Sequence, residues 1–485
     1  MKKKYGLIKV LSVLLLLIVV ASYFIKGRQS TISYIALGDV FLNYIQSFYY
    51  FFDTIIFVLV VGGFYGFLNK IPAYKKMIEK ISERLIDKNK EMLFVVVATI
   101  LFVLLSSLTG LNTLLLLFVP FVVSIILMLG YDKLVALSAT IGGILVGYVG
   151  GIFLTFKDAS SQYSVSYTTF DKLVGLDGHF GNVLPKILLL VVATGLLIYT
   201  IMSHIKKKDT EKYFLTKSDS LFVSVKDKTK KKEKVEEKKS SLWPIYLVLG
   251  LLLVILVLGY LPWNDLFGIK CFDDFHTWLT GLKLGNYEVF TNLISSSFTA
   301  FGTWGGIGNY LMAIFFIAVF IIILMLVYRV HFEDAMDGFV YGMKKMLPSV
   351  MIIGLAYCVL ICSYNNGFIE TIITNASKSF GDNVIINSLV SMLGSLLNVD
   401  TYYTSAGVFT SIVSALPDKA NLSVYALMFQ SLYGLVQLVG PTSILLIVGL
   451  SYLEVPYKTW LKYIWRFIVE LLIVILVILM IVSLI

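Results

Sequence analysis

The sequence is poor in charged residues and in cysteine. Only 14% of its 485 residues are charged and 58% are hydrophobic, whereas soluble proteins carry about 25% charged residues. A soluble chain of this composition would expose large apolar patches to water. Three cysteines, Cys271, Cys358 and Cys362, are too few and too scattered for a disulfide framework. These shortages exclude a soluble globular domain and a disulfide-stapled fold, and they indicate a membrane protein.

Patterns typical of enzymes and metal sites are also missing. The chain has four histidines, which are His179, His204, His276 and His331. All four are predicted in loops or at helix ends, and none has the spacing of a metal site or of a Ser-His-Asp triad. Cys358 and Cys362 share one helix face, where small residues at a packing seam explain them better than a metal does. We therefore expect no enzyme, no metal and no cofactor. Because no ATPase domain is present, active transport would have to be secondary.

Long apolar runs are abundant, and each approaches the ~20 residues that a helix needs to cross the hydrocarbon core. Examples are Leu7–Phe24, Met92–Leu105, Ile187–Met202, Ile245–Leu261, Leu311–Val330 and Phe467–Ile485. A membrane β-barrel would show alternating segments of ~10 residues instead. The first run is too long for a signal peptide, so we interpret it as a retained helix. The sequence predicts an all-α polytopic membrane protein with about 10–12 membrane helices.

Positive charge predicts the orientation, because cytoplasmic loops carry an excess of Lys and Arg. The stretch Lys206–Lys239 holds 13 lysines against 7 acids between two apolar runs. We interpret it as a cytoplasmic loop, with attraction to anionic lipid as a secondary role, rather than as a nucleic-acid site. Lys2–Lys4, Lys70–Lys90 and Arg329–Lys345 are also basic and predicted inside. We therefore expect a multi-pass protein of the cell (cytoplasmic) membrane with its N-terminus in the cytoplasm.

The two halves of the chain on either side of this loop share four features in the same order. These are an apolar helix (from Asp53; from Pro348), an Asn at its end (Asn69; Asn366), a polar stretch (Ser106–Thr113; Asn398–Gly407) and a later apolar helix (from Leu134; from Leu422). The first helix should run inward and its counterpart outward. The pattern predicts two inverted-topology repeats, each with a re-entrant hairpin.

These features divide the chain into six segments. They are an N-terminal membrane helix (1–30), the first repeat (31–204), the Lys-rich loop (205–241), connecting helices with an outer segment (242–330), the second repeat (331–458) and a C-terminal helix (459–485).

Polar residues at membrane depth mark function by default, and three clusters of them stand at interrupted helices. Cluster 1 contains Ser106, Ser107, Thr109, Gly110, Asn112 and Thr113; cluster 2 contains Asn398, Asp400, Thr401, Thr404, Ser405 and Gly407; cluster 3 contains Gln430, Gln437, Gly440, Pro441, Thr442 and Ser443. The N–H groups at helix ends and these hydroxyls could bind a carboxylate. The candidate substrate site takes all of cluster 1, Asn366, three residues of cluster 2 (Thr404, Ser405 and Gly407) and five residues of cluster 3 (Gln430, Gln437, Pro441, Thr442 and Ser443). For any one hydroxyl, a bond to its own helix is the competing interpretation.

Glycine is concentrated in one apolar segment. The residues are Gly142, Gly143, Gly147, Gly150 and Gly151. Close helix packing explains such a face without a ligand.

Several stretches resemble the DcuC/YfcC group of C4-dicarboxylate and amino-acid carriers, part of the ion transporter superfamily. They are Gly62–Lys70, Met128–Asp132, Phe301–Trp304, Phe339–Leu347, Gly440–Ser443 and Val455–Lys462. The chain is identified as a divergent member of that group. The resemblance implies two inverted repeats, each with a re-entrant hairpin, an elevator-like movement, and a C4-dicarboxylate or a basic amino acid as substrate.

The chain departs from the family pattern where an acid is expected. The first hairpin reads Gly110-Leu-Asn-Thr-Leu without a carboxylate, and Tyr433 and Gln437 stand where an acid and an Asn are expected. Asp400 is left as the candidate for a coupling cation, Na⁺ or H⁺, against the alternative of a solvated hairpin residue.

Two functions compete on these grounds. The first is a secondary transporter of a small carboxylate-bearing metabolite with alternating access. The second is a non-transporting membrane scaffold or receptor derived from a carrier, which the missing acids motivate. A homodimer is compatible with either function.

Overall fold

The computed structural model describes residues 6–25, 34–152, 156–158, 166–168, 171, 176, 182–206, 241–293, 298–304, 310–365, 367–397, 409–416 and 421–484. The first half contains α1 Gly6–Ile25, α2 Leu37–Tyr50, α3 Phe52–Leu68, α4 Pro72–Asp87, α5 Glu91–Thr109, α6 Val119–Met128, α7 Lys133–Leu137, α8 Gly143–Val149 and α9 Val183–Lys206. The second half contains α10 Trp243–Tyr260, α11 Trp263–Phe267, α12 Cys271–Thr280, α13 Val289–Leu293, α14 Leu311–Tyr328, α15 Phe332–Asn365, α16 Phe368–Phe380, α17 Val384–Ser395, α18 Thr410–Val413, α19 Leu422–Gln437, α20 Ile444–Tyr452 and α21 Tyr457–Leu484.

The other regular elements are short. A 3₁₀ turn, Leu114–Leu117, precedes α6, and a π turn, Ser138–Gly142, joins α7 to α8. Two antiparallel hairpins pair β1 Phe156–Asp158 with β2 Ser166–Thr168 and β3 Lys283–Leu284 with β4 Tyr287–Glu288.

The prediction of an all-helical polytopic membrane protein is confirmed. Within the described ranges, seven helices are long and apolar enough to cross a membrane: α1, α5, α9, α10, α14, α15 and α21. Helices α2 and α3 meet at a bend of 65° and qualify together as one broken span. Shorter apolar helices lie at Val119–Met128, Lys133–Val149 and Val384–Ser395. A total of about 10–12 membrane helices stays a prediction, as do the six segment boundaries.

Helices α3 and α15 cross in close contact, and each helix contributes glycines to the crossing point. A Cβ on Gly66 would stand 2.2 Å from the carbonyl oxygen of Gly338, and one on Gly342 would stand 2.0 Å from that of Gly62. Both helices therefore carry glycines four residues apart, the spacing that lets membrane helices approach backbone to backbone. Residue numbers rise along α3 as they fall along α15, so the two helices pack antiparallel.

The predicted glycine face is confirmed as a packing surface on α8. A Cβ on Gly143 would lie 3.1 Å from Phe102, and one on Gly147 would lie 2.5 Å from the side chain of Ser106. These contacts seat α8 against α5. On its other side α8 packs against α19, where a Cβ on Gly434 would lie 2.6 Å from the Val149 nitrogen. Helix α8 is thus held between an element of each half.

Candidate functional site

Polar residues of both halves meet where α8 ends. The backbone continues from Val149 into Gly150 and Gly151. Their carbonyls lie past the end of α8 and accept no hydrogen bond from within that helix. The Ser107 hydroxyl donates to the Gly150 carbonyl at 3.2 Å, and the Gln430 amide donates to the Gly151 carbonyl. The structure therefore joins a member of cluster 1 to a member of cluster 3.

Cluster 1 makes further contacts between α5 and α8. The buried Ser106 hydroxyl donates to the Ile144 carbonyl at 2.7 Å and contacts the side-chain oxygen of Asn112. The Ser107 carbonyl accepts from the Ile152 nitrogen at 3.1 Å, which ties the chain after α8 to the end of α5. Ser106, Ser107 and Asn112 thus fix the shape of this helix end.

The turn after α5 depends on Gly110. Its φ of +64° lies in the left-handed region, which favours glycine, and its nitrogen donates to the Ser106 carbonyl at 3.0 Å. The Thr109 hydroxyl bonds back to the Leu105 carbonyl, as the competing interpretation of a lone hydroxyl predicts. Thr113 is half-buried, and its carbonyl accepts from the Leu116 nitrogen at 3.1 Å.

The break in cluster 3 lies at the other end of α19. Gln437 is the last residue of α19 and is 3% exposed, seven residues or about 10 Å beyond Gln430. Pro441 and Thr442 follow it and are buried. The Thr442 hydroxyl donates to the Leu396 carbonyl at 3.0 Å, just past the end of α17. The structure therefore divides cluster 3 between two places.

Ser443 is the residue at the N-cap of α20, and it carries an unused hydroxyl. The side chain is fully buried, and its oxygen has no hydrogen-bond partner in the described part of the chain. The first turn of a helix offers backbone N–H groups and the positive end of its dipole. A buried hydroxyl at this position suits an anion.

A second set of unused polar atoms lies along α17. Asn387 Oδ1, Ser391 Oγ and Ser395 Oγ are buried and have no partner among the described residues. Their spacing of four residues puts them on one helix face. Ser395 precedes Leu396, and Ser443 follows Thr442. Because the Thr442 hydroxyl bonds to the Leu396 carbonyl, Ser395 and Ser443 lie in the same region. A buried hydroxyl without a partner costs about 1–3 kcal/mol, so this stripe needs water or a ligand.

Sequence reasoning missed Ser391 and Ser395. The available signal is the run Asn387-x-x-x-Ser391-x-x-x-Ser395, a polar stripe at helical spacing just before cluster 2. Five predicted residues lie outside the described residues, namely Asn366, Asp400, Thr404, Ser405 and Gly407. Their roles stay predictions.

Metal ligation finds no support in the described ranges. They contain no group of three or more His, Cys, Asp or Glu side chains that could hold a metal ion. Cys358 and Cys362 are buried on α15, where the Asn43 amide donates to the Cys362 sulfur at 3.2 Å and the Cys358 thiol contacts the Val40 carbonyl at 3.5 Å. They pack α2 against α15, as the packing-seam interpretation predicts.

Comparison with known proteins gives a family for nearly the whole chain. Residues 30–484 match the profile of the DcuC family, described as C4-dicarboxylate anaerobic carrier. No curated protein matches the sequence. The YdaH transporter of Alcanivorax borkumensis is similar in structure at 13% identity and a TM-score of 0.42, covering 98% of this chain and 97% of its own. MtrF of Neisseria gonorrhoeae, described with a class of antimetabolite efflux pumps, gives 12% identity and a TM-score of 0.39, covering 98% and 94%.

Proposed function

This chain belongs to the DcuC family of C4-dicarboxylate anaerobic carriers, and on that premise we propose a substrate class and a mechanism for it. It is a secondary active transporter of a small carboxylate-bearing metabolite, a dicarboxylate or an amino acid. It works in the cytoplasmic membrane by alternating access. A cation, Na⁺ or H⁺, drives the movement.

The observation that carries this proposal is the buried Ser443 hydroxyl at the start of α20. A carboxylate placed there would accept from the hydroxyl and from N–H groups of the first helical turn, and would gain from the helix dipole. The stripe Ser391–Ser395 on α17 ends in the same region and supplies further donors. The hydroxyls of Ser443, Ser391 and Ser395 are neutral donors.

The packing of the proposed repeats supports alternating access. The counterpart helices α3 and α15 pack antiparallel, and so do α8 and α19, where Gly434 lies at Val149 and Gln430 donates to the later Gly151 carbonyl. Two inverted repeats related by an axis in the membrane plane require counterpart helices to run in opposite directions, as these pairs do. The contact of Ser107 with the end of α8 also has a counterpart, namely that of Thr442 with the end of α17.

Transport by reconstituted protein tests the proposal. Proteoliposomes that hold the folded chain should take up or exchange radiolabelled substrate from a panel of dicarboxylates and amino acids. The S443A variant should lose most of this activity. The matched control is S431A, because the Ser431 hydroxyl is buried but bonds to the Leu427 carbonyl of its own helix at 2.7 Å.

Two results would count against the proposal. Equal activity of S443A and the wild type would move the site away from α20. Binding of a carboxylate without any flux, in either direction and with either cation, would favour the receptor or scaffold instead.

A further inference from the structure

The proposed site lacks a positive charge, although its substrate is an anion. All substrate-binding candidates in clusters 1 and 3 are neutral side chains or glycines. Hydrogen bonds between a charged donor and a carboxylate are roughly twice as strong as neutral ones. A carrier for a carboxylate therefore gains most from one buried cation near these clusters.

Lys186 is such a cation. It lies in the first turn of α9, and its ammonium nitrogen is 3.0 Å from Asp171 Oδ2. The two side chains are 3% and 2% exposed. Surface pairs such as Lys283–Glu288, by contrast, are half-exposed. Burying two charges costs several kcal/mol per ion unless further hydrogen bonds satisfy both groups.

The Lys186–Asp171 pair is incompletely satisfied within the described residues. An ammonium has three donors, and this one makes a single hydrogen bond, to Asp171. Asp171 Oδ1 is buried and has no partner. The ammonium therefore has room for a second acceptor, and the carboxylate is held by one oxygen only. A purely structural ion pair is expected to be better satisfied than this.

The pair lies beside one of the two places of the candidate site, the end of α8. A Cβ on Gly150 would stand 2.5 Å from the Lys186 carbonyl oxygen, so the first turn of α9 packs directly on the end of α8. This is the same helix end that Ser107 and Gln430 contact through the Gly150 and Gly151 carbonyls. Lys206, at the far end of α9, is 20 residues or about 30 Å away, the thickness of the hydrocarbon core.

We propose that the Lys186 ammonium binds a carboxylate of the substrate and that Asp171 is the internal counter-ion which the substrate displaces. This inference rests on the proposed function and names its cationic recognition group. In the empty carrier, Asp171 neutralises the buried ammonium. In the loaded carrier, the substrate carboxylate takes over one or more of the three donors, and Asp171 is released from the pair.

Binding measurements on the detergent-solubilised full chain test this competition. The probes are succinate, a four-carbon dicarboxylate, and aspartate, and Kd is measured by titration calorimetry at neutral pH. K186Q should bind the better probe at least about tenfold more weakly, because the charged hydrogen bond to the substrate carboxylate is lost. D171N should bind it more tightly than the wild type, because the competing carboxylate is gone. K206Q, the matched control on the same helix, should bind as the wild type does.

The opposite pattern would overturn the inference. Unchanged affinity in K186Q, or weakening in D171N as large as in K186Q, would make the pair structural. If K186Q fails to fold, the double variant K186Q/D171N removes both charges, and wild-type affinity in that variant would refute the role of Lys186. If the wild-type protein binds neither probe, this inference fails together with the carboxylate specificity of the proposed function. A wild-type protein that binds while K186Q binds equally well leaves the proposed function intact.

Discussion

At the scale of single residues, Gly110 gives the sharpest test of the turn after α5. Glycine adopts its φ of +64° without strain, whereas a β-branched residue there would be strained by roughly 1–2 kcal/mol. We expect G110V to lower the free energy of unfolding by that amount and to abolish transport, because the turn holds Ser106 and Asn112 against α8. Asn tolerates the left-handed region, so G110N is the matched control and should keep most activity. Thermal unfolding and proteoliposome uptake measure the two effects, and full transport by G110V would move the site away from this turn.

The sequence predicted which polar side chains lie in buried clusters, but not which groups they hydrogen-bond. Ser106, Ser107 and Gln430 were marked as ligands, and the structure joins each of them to a backbone carbonyl on or just after α8. Polarity at membrane depth reports that a group needs a partner, but the partner lies 38 to 279 residues away along the chain. For the same reason the sequence does not single out Lys186. It precedes an apolar run, and its pairing with Asp171 is visible only in the folded structure.

At the scale of elements, the close crossing of α3 and α15 predicts that alanine substitution destabilises the protein far more at some glycines than at others. A side chain on Gly342 would meet the backbone of Gly62, which cannot move aside as a flexible side chain can. We expect G342A to destabilise the protein by about 1–3 kcal/mol, the usual cost of overpacking. Gly250 on α10 has no atom within 4 Å of its Cβ position, so G250A should be neutral or stabilising. Melting curves in detergent compare the two, and equal melting temperatures would contradict the close crossing.

The helices themselves were predictable, and their pairing was not. Apolar runs of nearly membrane-spanning length gave α1, α5, α9, α10 and α14 within four residues of their ends, and α21 without its first ten residues. The glycines of α3 and α15 lie about 280 residues apart in the sequence, and neither pair of glycines indicates which helix it packs against. The sequence predicted a helix from Asp53, close to the start of α3, but neither the preceding α2 nor the 65° bend between the two helices.

At the scale of the whole molecule, positive charge and packing agree on which helix ends share a side. The end of α9, which the charge rule puts inside, meets Asp132 at the start of α7 through His204 at 2.7 Å, and Tyr463 of α21 packs against the same His204 ring. Tyr328, at the predicted inner end of α14, donates to the Ser241 carbonyl before α10 at 2.7 Å. The contacts thus agree with the charge pattern on which helix ends lie together, and the cytoplasmic assignment of that side stays a prediction.

This agreement makes the inverted repeat testable by chemical labelling. Helix α4 follows α3, and its counterpart α16 follows α15, so inverted repeats would put the exposed Lys80 and Lys378 on opposite sides of the membrane. Single-cysteine variants K80C and K378C are made after Cys271, Cys358 and Cys362 are replaced. On intact cells, a membrane-impermeant maleimide should label K378C at once and K80C only after permeabilisation. Labelling of both positions from one side would contradict both the inverted repeat and the antiparallel packing of α3 with α15.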